Sequence, residues 1–321
     1  MKKPAVYIDG EAGTTGLQIR ARLSGRVDIE LVSIAPEKRK DEQERRRLLN
    51  AVDVAILCLP DDAARAAVDL ISNPAVKVLD ASTAFRVNPE WTYGFPELLP
   101  GNVERIRQAK RVSNPGCYAS GAVALLRPVV DAGLIPADFP ITIQGISGYS
   151  GGGKKMIESF EGKNNEPITD PVRLYALNLA HKHCEEMRVY AALKHKPLFV
   201  PTVAKYFQGM LVQVPLPLHG LSRNVSGRDL HEALSARYEG TRFVRVLPLD
   251  QPPSVLAPEA LNGTNIMEIF VFENSVEKQT LLVARLDNLG KGASGSAAQN
   301  LDLMLGLEGD YTYAVAPGAL S

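Results

Sequence analysis

The chain has 321 residues, 45% of them hydrophobic, and its 36 basic side chains balance 36 acidic ones. That length suggests two domains, and the even charge leaves no footprint for nucleic acid or an anionic membrane surface. No apolar run is long enough to span a bilayer, and Cys58, Cys117 and Cys184 are an odd set without metal-ligand spacing, which points to a reducing cytoplasm and to no metal.

Residues 1–6 pass straight into a strand candidate, leaving no room for a secretory signal. That strand, 5–9, runs into Gly10-Glu11-Ala12-Gly13-Thr14-Thr15-Gly16, with a helix candidate over 17–23. Glycines let the backbone approach a pyrophosphate, and a helix N-terminus offers it free N–H groups; without a ligand the same pattern is a tight βα turn. Residues 29–34 read as the second strand. No acidic residue ends it to hold ribose hydroxyls; Ser33 is followed by Glu37-Lys38-Arg39-Lys40, which favours the 2′-phosphate of NADP over a merely solvated loop. A charged helix candidate covers 41–49, a third strand 52–59 ends at Pro60, and Asp61-Asp62 open a helix to about residue 71. The fourth strand, 76–79, leads into Asp80-Ala81-Ser82-Thr83-Ala84-Phe85-Arg86. Arg86 there is either an exposed loop arginine or the holder of an anionic substrate group.

Ser113-Asn114-Pro115-Gly116-Cys117-Tyr118 stands between a short strand candidate and the small, apolar run 119–130. Pro115 and Gly116 make a sharp turn, and the cysteine falls where the next helix begins. The positive end of a helix dipole favours thiolate, the nucleophilic form, so this is the place for a catalytic cysteine; the plainer reading is a small buried thiol.

Beyond that helix the pattern changes. Residues 141–145 form a strand candidate, followed by the glycine-rich tract 146–155, either a flexible linker or backbone close to a ligand; Tyr149 and two lysines favour the ligand. A polar, loop-like stretch continues to residue 171. His181-Lys182-His183-Cys184-Glu185-Glu186 follows. An H-x-H pair can bind zinc, but no third ligand motif accompanies it, and a base needs only one histidine and an orienting partner. Glu186, three residues after His183, is placed to hold that ring, which favours His183 as acid/base and leaves His181 to contact substrate. Strand candidates at 198–203, 209–216, 242–246, 265–272 and 280–286, with one helix near 227–238, suggest an antiparallel sheet. A final helix with Ala297, Leu301 and Leu305 on one face is placed to pack back on the first domain.

The segments Gly10–Gly16, Asp80–Arg86, Ser113–Tyr118, Ser147–Lys154, His181–Glu186 and Asn288–Gly292 together resemble the N-acetyl-gamma-glutamyl-phosphate reductase family, in its shorter sequence type, over essentially the whole chain. The resemblance implies an α/β protein with a Rossmann-like NADP-binding domain and an α+β catalytic domain with a largely antiparallel sheet, as in the aspartate-semialdehyde and glyceraldehyde-phosphate dehydrogenases. The domains are expected at 1–116, with 288–321 returning to it, and at 117–287. It implies reduction of N-acetyl-L-glutamyl 5-phosphate to the 5-semialdehyde by NADPH, through a thioester on Cys117, in arginine biosynthesis. Gln144 would orient the intermediate. Arg86, Asn114, Ser147, Gly148, Lys154 and Glu186 would contact substrate. The cofactor would meet the first glycine turn, Ser33, Lys38, Arg39, Pro60 and Ser82, with Asn288, Gly290 and Lys291 at its nicotinamide end. A homo-oligomer, dimer or tetramer, is expected.

Three other readings compete. Aspartate-semialdehyde dehydrogenase would place an arginine before its histidine, unlike His181–Glu186. A non-enzymatic NADP sensor has no use for a nucleophile, and a cysteine hydrolase has none for the first glycine turn.

Overall fold

The computed structural model of the protein describes residues 2–307 and 313. The chain forms two compact units. Unit 1 takes the described residues up to Pro96, Pro100–Gly116 and those from Ala293; unit 2 takes Glu97–Leu99 and Cys117–Gly292. Asn288–Gly292 thus cluster with unit 2, and the last segment joins unit 1 only from Ala293. Of the expected return segment, residues 308–312 and 314–321 lie outside the described residues.

Unit 1 begins with β1 (Ala5–Asp9), α1 (Thr14–Leu23), β2 (Glu30–Val32), α2 (Glu42–Ala51), β3 (Val54–Leu57), α3 (Asp61–Asp69) and β4 (Lys77–Asp80). It continues with β5 (Thr92–Tyr93), α4 (Asn102–Gln108) and β6 (Arg111–Ser113). Its strands lie parallel in the order β2-β1-β3-β4-β6-β5. All five residues of β1 are buried, as a parallel strand covered on both faces requires. Val6 and Ile8 pack with Ile19 and Leu23 of α1, whereas Ala5 and Tyr7 pack with Leu48 and Leu49 of α2 and Ala64 and Ala67 of α3. The strand period of two therefore sorts one short run between two helical layers. The order reverses between β1 and β3, and ligands of such sheets bind outside the carboxyl ends of the strands at that point. α1 starts at Thr14 rather than Leu17 because the Gly13 carbonyl already accepts from the Leu17 N–H at 2.9 Å.

Unit 2 contains α5 (Cys117–Asp131), β7 (Thr142–Gly148), α6 (Gly153–Phe160), β8 (Val172–Leu174), α7 (His183–Tyr190) and β9 (Leu198–Ala204). Then come β10 (Met210–Pro217), α8 (Gly227–Tyr238), β11 (Val244–Val246), β12 (Met267–Asn274) and β13 (Gln279–Leu286). The strand order is β11-β12-β13-β10-β7-β9-β8. Pairing is antiparallel except for β7 with β9 and β11 with β12, so the sheet is mixed. The glycine-rich tract is not a loop: β7 runs to Gly148, and α6 forms where Met156, Ile157 and Phe160 repeat at helical spacing. The chain finally forms α9 (Gly295–Leu305) in unit 1, where Ala297 and Leu301 join the cluster of Val6, Ile8 and α1.

α5 lies on the sheet face that carries Val212 and Ala284. A Cβ at Gly121 would come within 2.7 Å of Val212, so only glycine lets the helix sit this close. Pro128 interrupts the helix interior and leaves the Ala124 carbonyl without its i+4 donor. The buried Tyr238 hydroxyl of α8 donates to that carbonyl at 2.9 Å. Tyr238→Phe therefore leaves a buried carbonyl unsatisfied, and the expected cost is about 1–3 kcal/mol, read as a lower urea midpoint with the activity of the folded enzyme retained.

Candidate active site

The turn that leads to Cys117 is held by Asn114. Its backbone N–H donates to the Asp80 carbonyl at 2.7 Å, and its own carbonyl accepts from Arg86 Nε at 3.0 Å. Its side chain donates through Nδ2 to the Ala293 carbonyl at 2.9 Å and accepts at Oδ1 from Asn300 Nδ2 at 3.1 Å. Asn114 is 2% exposed. Arg86 also donates through Nη2 to the Ala81 carbonyl at 3.3 Å. Both residues were expected to contact substrate. In the structure these polar groups bond within the fold, and they fix the strand end from which the cysteine turn leaves.

Cys117 is the first residue of α5 and is half-buried. The segment 287–292 packs directly on it, since a Cβ at Gly292 would approach the Cys117 Cβ to 2.8 Å. That segment is braced by Asp287, whose carboxylate accepts from Gln208 Nε2 at 2.5 Å and from the Gly263 and Leu289 N–H groups at 2.8 Å each. The other cysteines are built differently: burial raises the thiol pKa of both, and Asp80 and Asp9 add to the rise at Cys58.

Tyr118 links the cysteine to the histidines. Its ring fills the space a Cβ at Gly145 would need, and its hydroxyl donates to the Thr202 carbonyl at 2.9 Å. Its centroid lies 6.1 Å from the rings of both His181 and His183, and those rings meet at 4.7 Å. Tyr175 stands 5.7 Å from His181; burial pushes its hydroxyl up to about 12, with the Cys117 charge contributing. His181 precedes α7, and its ring Nδ1 accepts the backbone N–H of His183 at 3.0 Å. This caps a free donor of the helix start and assigns the proton of the neutral ring to Nε2. His181 is half-exposed, whereas His183 and Glu186 are buried at 5% and 2%.

The remaining expected contacts divide. Ser147 and Gly148 end β7; the Ser147 hydroxyl donates to the Gly148 carbonyl at 3.1 Å. Gln144 is corrected. It lies in mid-strand opposite Gln213, exposed, and alternates with Gly145, so it faces away from the Tyr118 side of the sheet. Lys154 extends into solvent with its ammonium 3.8 Å from Glu158. Asn288 has internal partners at both ends, accepting from the Gly209 N–H at 2.7 Å and donating to Ser150 Oγ at 3.0 Å. Gly290 packs on the Thr264 carbonyl, and the buried Lys291 ammonium lies 2.9 Å from both Glu97 oxygens.

In unit 1 a cavity of about 350 Å³ opens outside β1 and β3, lined by Asp9, Gly10, Glu11, Ala12, Ile34, Arg39, Lys40, Arg45, Leu59 and Ala63. Lys40 is among its lining residues and Lys38 is not. Cβ atoms at Gly10 and Gly16 would strike the Cys58 and Gly10 carbonyls, so these two glycines serve the packing of the turn; Gly13 caps α1. Pro60 caps α3, and the Ser82 hydroxyl donates to Asp80 at 2.7 Å.

Two family models match the chain: "Semialdehyde dehydrogenase, NAD binding domain" over residues 38–109 and "Semialdehyde dehydrogenase, dimerisation domain" over 117–288. The N-acetyl-gamma-glutamyl-phosphate reductase 2 of Nostoc sp. is 55% identical over 316 residues, covering 96% of this chain and 98% of its own. The N-acetyl-gamma-glutamyl-phosphate reductase of Burkholderia ambifaria is 52% identical over 309 residues, with 96% and 98% covered. The chain belongs to the N-acetyl-gamma-glutamyl-phosphate reductase family. Its fold is also that of aspartate semialdehyde dehydrogenase II from Vibrio cholerae, at a TM-score of 0.69 and 18% identity, with 97% of this chain and 100% of the other covered.

Reductases of this family use NADP, and unit 1 fits it. The α1 start carries free N–H groups without a side-chain cap, and the cavity runs from the glycine turn to Arg39 and Lys40. No local motif marks Arg20, which reaches Ser33 Oγ at 2.6 Å from α1, or Asn300, because each contact joins two different elements of the fold. Tyr175 likewise lies between the loop-like stretch ending at residue 171 and the histidine segment, where the sequence carries no motif.

Two outcomes follow from this geometry. Iodoacetamide at neutral pH should alkylate Cys117 well before Cys58 or Cys184, as peptide mapping would read. Gly292→Ala should press on Cys117 and lower kcat by at least about tenfold, with NADP+ affinity unchanged, since positioning errors of this size act on the chemical step.

Proposed function

We propose that the protein reduces N-acetyl-L-glutamyl 5-phosphate to N-acetyl-L-glutamate 5-semialdehyde with NADPH, releasing phosphate, in arginine biosynthesis. The placing of Cys117 at the start of α5 carries this reading. The Cys117 thiolate attacks the acyl carbon, the carbon–oxygen bond to phosphate breaks, and its electron pair leaves with the phosphate. NADPH, when bound, supplies the hydride that the resulting thioester accepts. The carbon–sulfur bond then breaks, its pair returns to Sγ, and the aldehyde is released. Backbone N–H groups of the first α5 turn steady the oxyanion in both halves.

We assign the second donor to His181, reversing the preference drawn from the spacing to Glu186. A neutral ring with Nδ1 engaged presents Nε2–H to an oxyanion, whereas His183 is buried and contributes its backbone N–H to that arrangement. Ser147 and Gly148 at the end of β7, Glu186, and the extended Lys154 remain the proposed substrate contacts. The matched dimerisation domain and the free thiols support a cytoplasmic homo-oligomer, with no nucleic-acid or membrane partner. Light scattering after size exclusion should give at least the mass of two chains.

Cys117→Ala should abolish reduction of the acyl phosphate, by more than about 100-fold, while NADP+ still binds. His181→Asn should lower kcat by about 100-fold or more, and His183→Asn should mainly raise KM. A wild-type rate in the Cys117→Ala variant would exclude covalent catalysis, and the opposite split between the histidines would return the donor role to His183.

A further inference from the structure

At the carboxyl end of β2 the structure holds an anion of its own in a basic pocket. Glu11, in the turn that opens α1, is only 7% exposed. Its Oε2 accepts from Arg20 Nη1 at 2.8 Å and from Ser33 Oγ at 3.4 Å, and its Oε1 accepts from Arg39 Nη2 at 3.4 Å. Arg20 Nη1 also donates to Ser33 Oγ at 2.6 Å. Arg20 and Arg39 keep 43% of their side-chain surface open, so each has guanidinium edge left for a ligand. Glu11 and Arg39 both line the cavity at the glycine turn, together with Lys40.

We propose that Glu11 is an internal stand-in for the cofactor's 2′-phosphate, displaced from Arg20, Arg39 and Ser33 when NADP binds, and that Arg20 is the second guanidinium of the phosphate site. This rests on the NADP-dependent reading above and adds to it the residues that set selectivity.

The chemistry of the donors carries the assignment. Two guanidinium groups and a hydroxyl converging on one carboxylate form the donor set that also binds a phosphate, and a phosphate bears up to twice the charge with three acceptor oxygens. A ligand phosphate therefore competes for these donors with advantage, but it must separate Glu11 from them and then tolerate a carboxylate nearby. NAD has no phosphate to displace Glu11. Its ribose hydroxyls instead meet a carboxylate already held in place, the kind of acceptor an acidic residue supplies in NAD sites. Glu11 thus penalises NADP and favours NAD, while Arg20 favours NADP and leaves NAD nearly untouched. The basic run after β2 supplies only one of the two guanidinium groups; the other comes from α1.

Calorimetry of the full-length enzyme separates these effects without turnover, using NADP+, NAD+ and 2′-AMP as probes. Glu11→Gln should tighten NADP+ and 2′-AMP by about three- to tenfold and weaken NAD+, because removing one half-screened like charge has that scale. Arg20→Ala should weaken NADP+ and 2′-AMP by about tenfold or more and leave NAD+ within about twofold, as loss of one phosphate-binding guanidinium does. Arg20→Lys, which keeps the charge without the fork, should fall between wild type and Arg20→Ala, and it answers the question should a larger change disturb folding. Glu11→Gln weakening NADP+ would mean that the carboxylate only braces the arginines, and equal losses of NADP+ and NAD+ in Arg20→Ala would remove that arginine from the phosphate site; either overturns the proposal. Wild-type enzyme that binds neither dinucleotide would instead overturn the NADP-dependent reading itself.

Discussion

Asn114 is the constraint on which the turn to Cys117 depends. Its N–H, its carbonyl and both ends of its side chain are hydrogen-bonded, to Asp80, Arg86, Ala293 and Asn300 in turn. Backbone polar groups buried away from water must be paired, and here the pairing also removes any freedom of the strand end. Pro115 and Gly116 then leave a single sharp path to Cys117. The thiol is thereby delivered to the first position of α5, where the helix itself supplies both the field that favours thiolate and N–H donors at its first turn.

Several of the glycines that look like ligand contacts are made necessary by packing. Gly292 is glycine because Cys117 lies against it, Gly290 because the Thr264 carbonyl does, and Gly145 because the Tyr118 ring occupies the space of a side chain. Gly10 and Gly16 fold the first turn upon itself. The close approach of backbone to a nucleophile or an aromatic ring needs a missing Cβ as much as the approach of a phosphate does.

Buried charge is handled by pairing. The Lys291 ammonium is drawn down by burial and held up by Glu97, and Glu97 belongs to a three-residue stretch of unit 2 flanked by unit 1 sequence. Such a pair contributes little net stability, but losing one partner strands the other in a dry site, so it specifies where that stretch must lie. Asp80 shows the cost in another form: burial raises its carboxyl to about 6 although the Ser82 hydroxyl donates to it.

The sequence by itself determined the first strand and glycine turn, the cysteine at a helix start, the histidine pair and the two-domain plan, because each rests on residues adjacent in the chain, where local geometry and the apolar period decide. It also marked helix Gly227–Tyr238 and the long strands of unit 2, whose alternation is plain. Tertiary structure alone decided the rest. Gln144 faces away from Tyr118 because register and pleat, fixed by β10 and β9, choose the face. Arg86 and Asn114 brace the cysteine turn through partners that lie in other segments, and Arg20 entered the basic pocket because α1 packs beside the end of β2. The setting of the His181 ring turned on one backbone N–H at a helix start, a bond between residues two apart that spacing allows but only the folded chain makes. Partner choice for a polar side chain is set by what the fold brings within about 3 Å, the reach of a hydrogen bond, and chain order does not contain that distance.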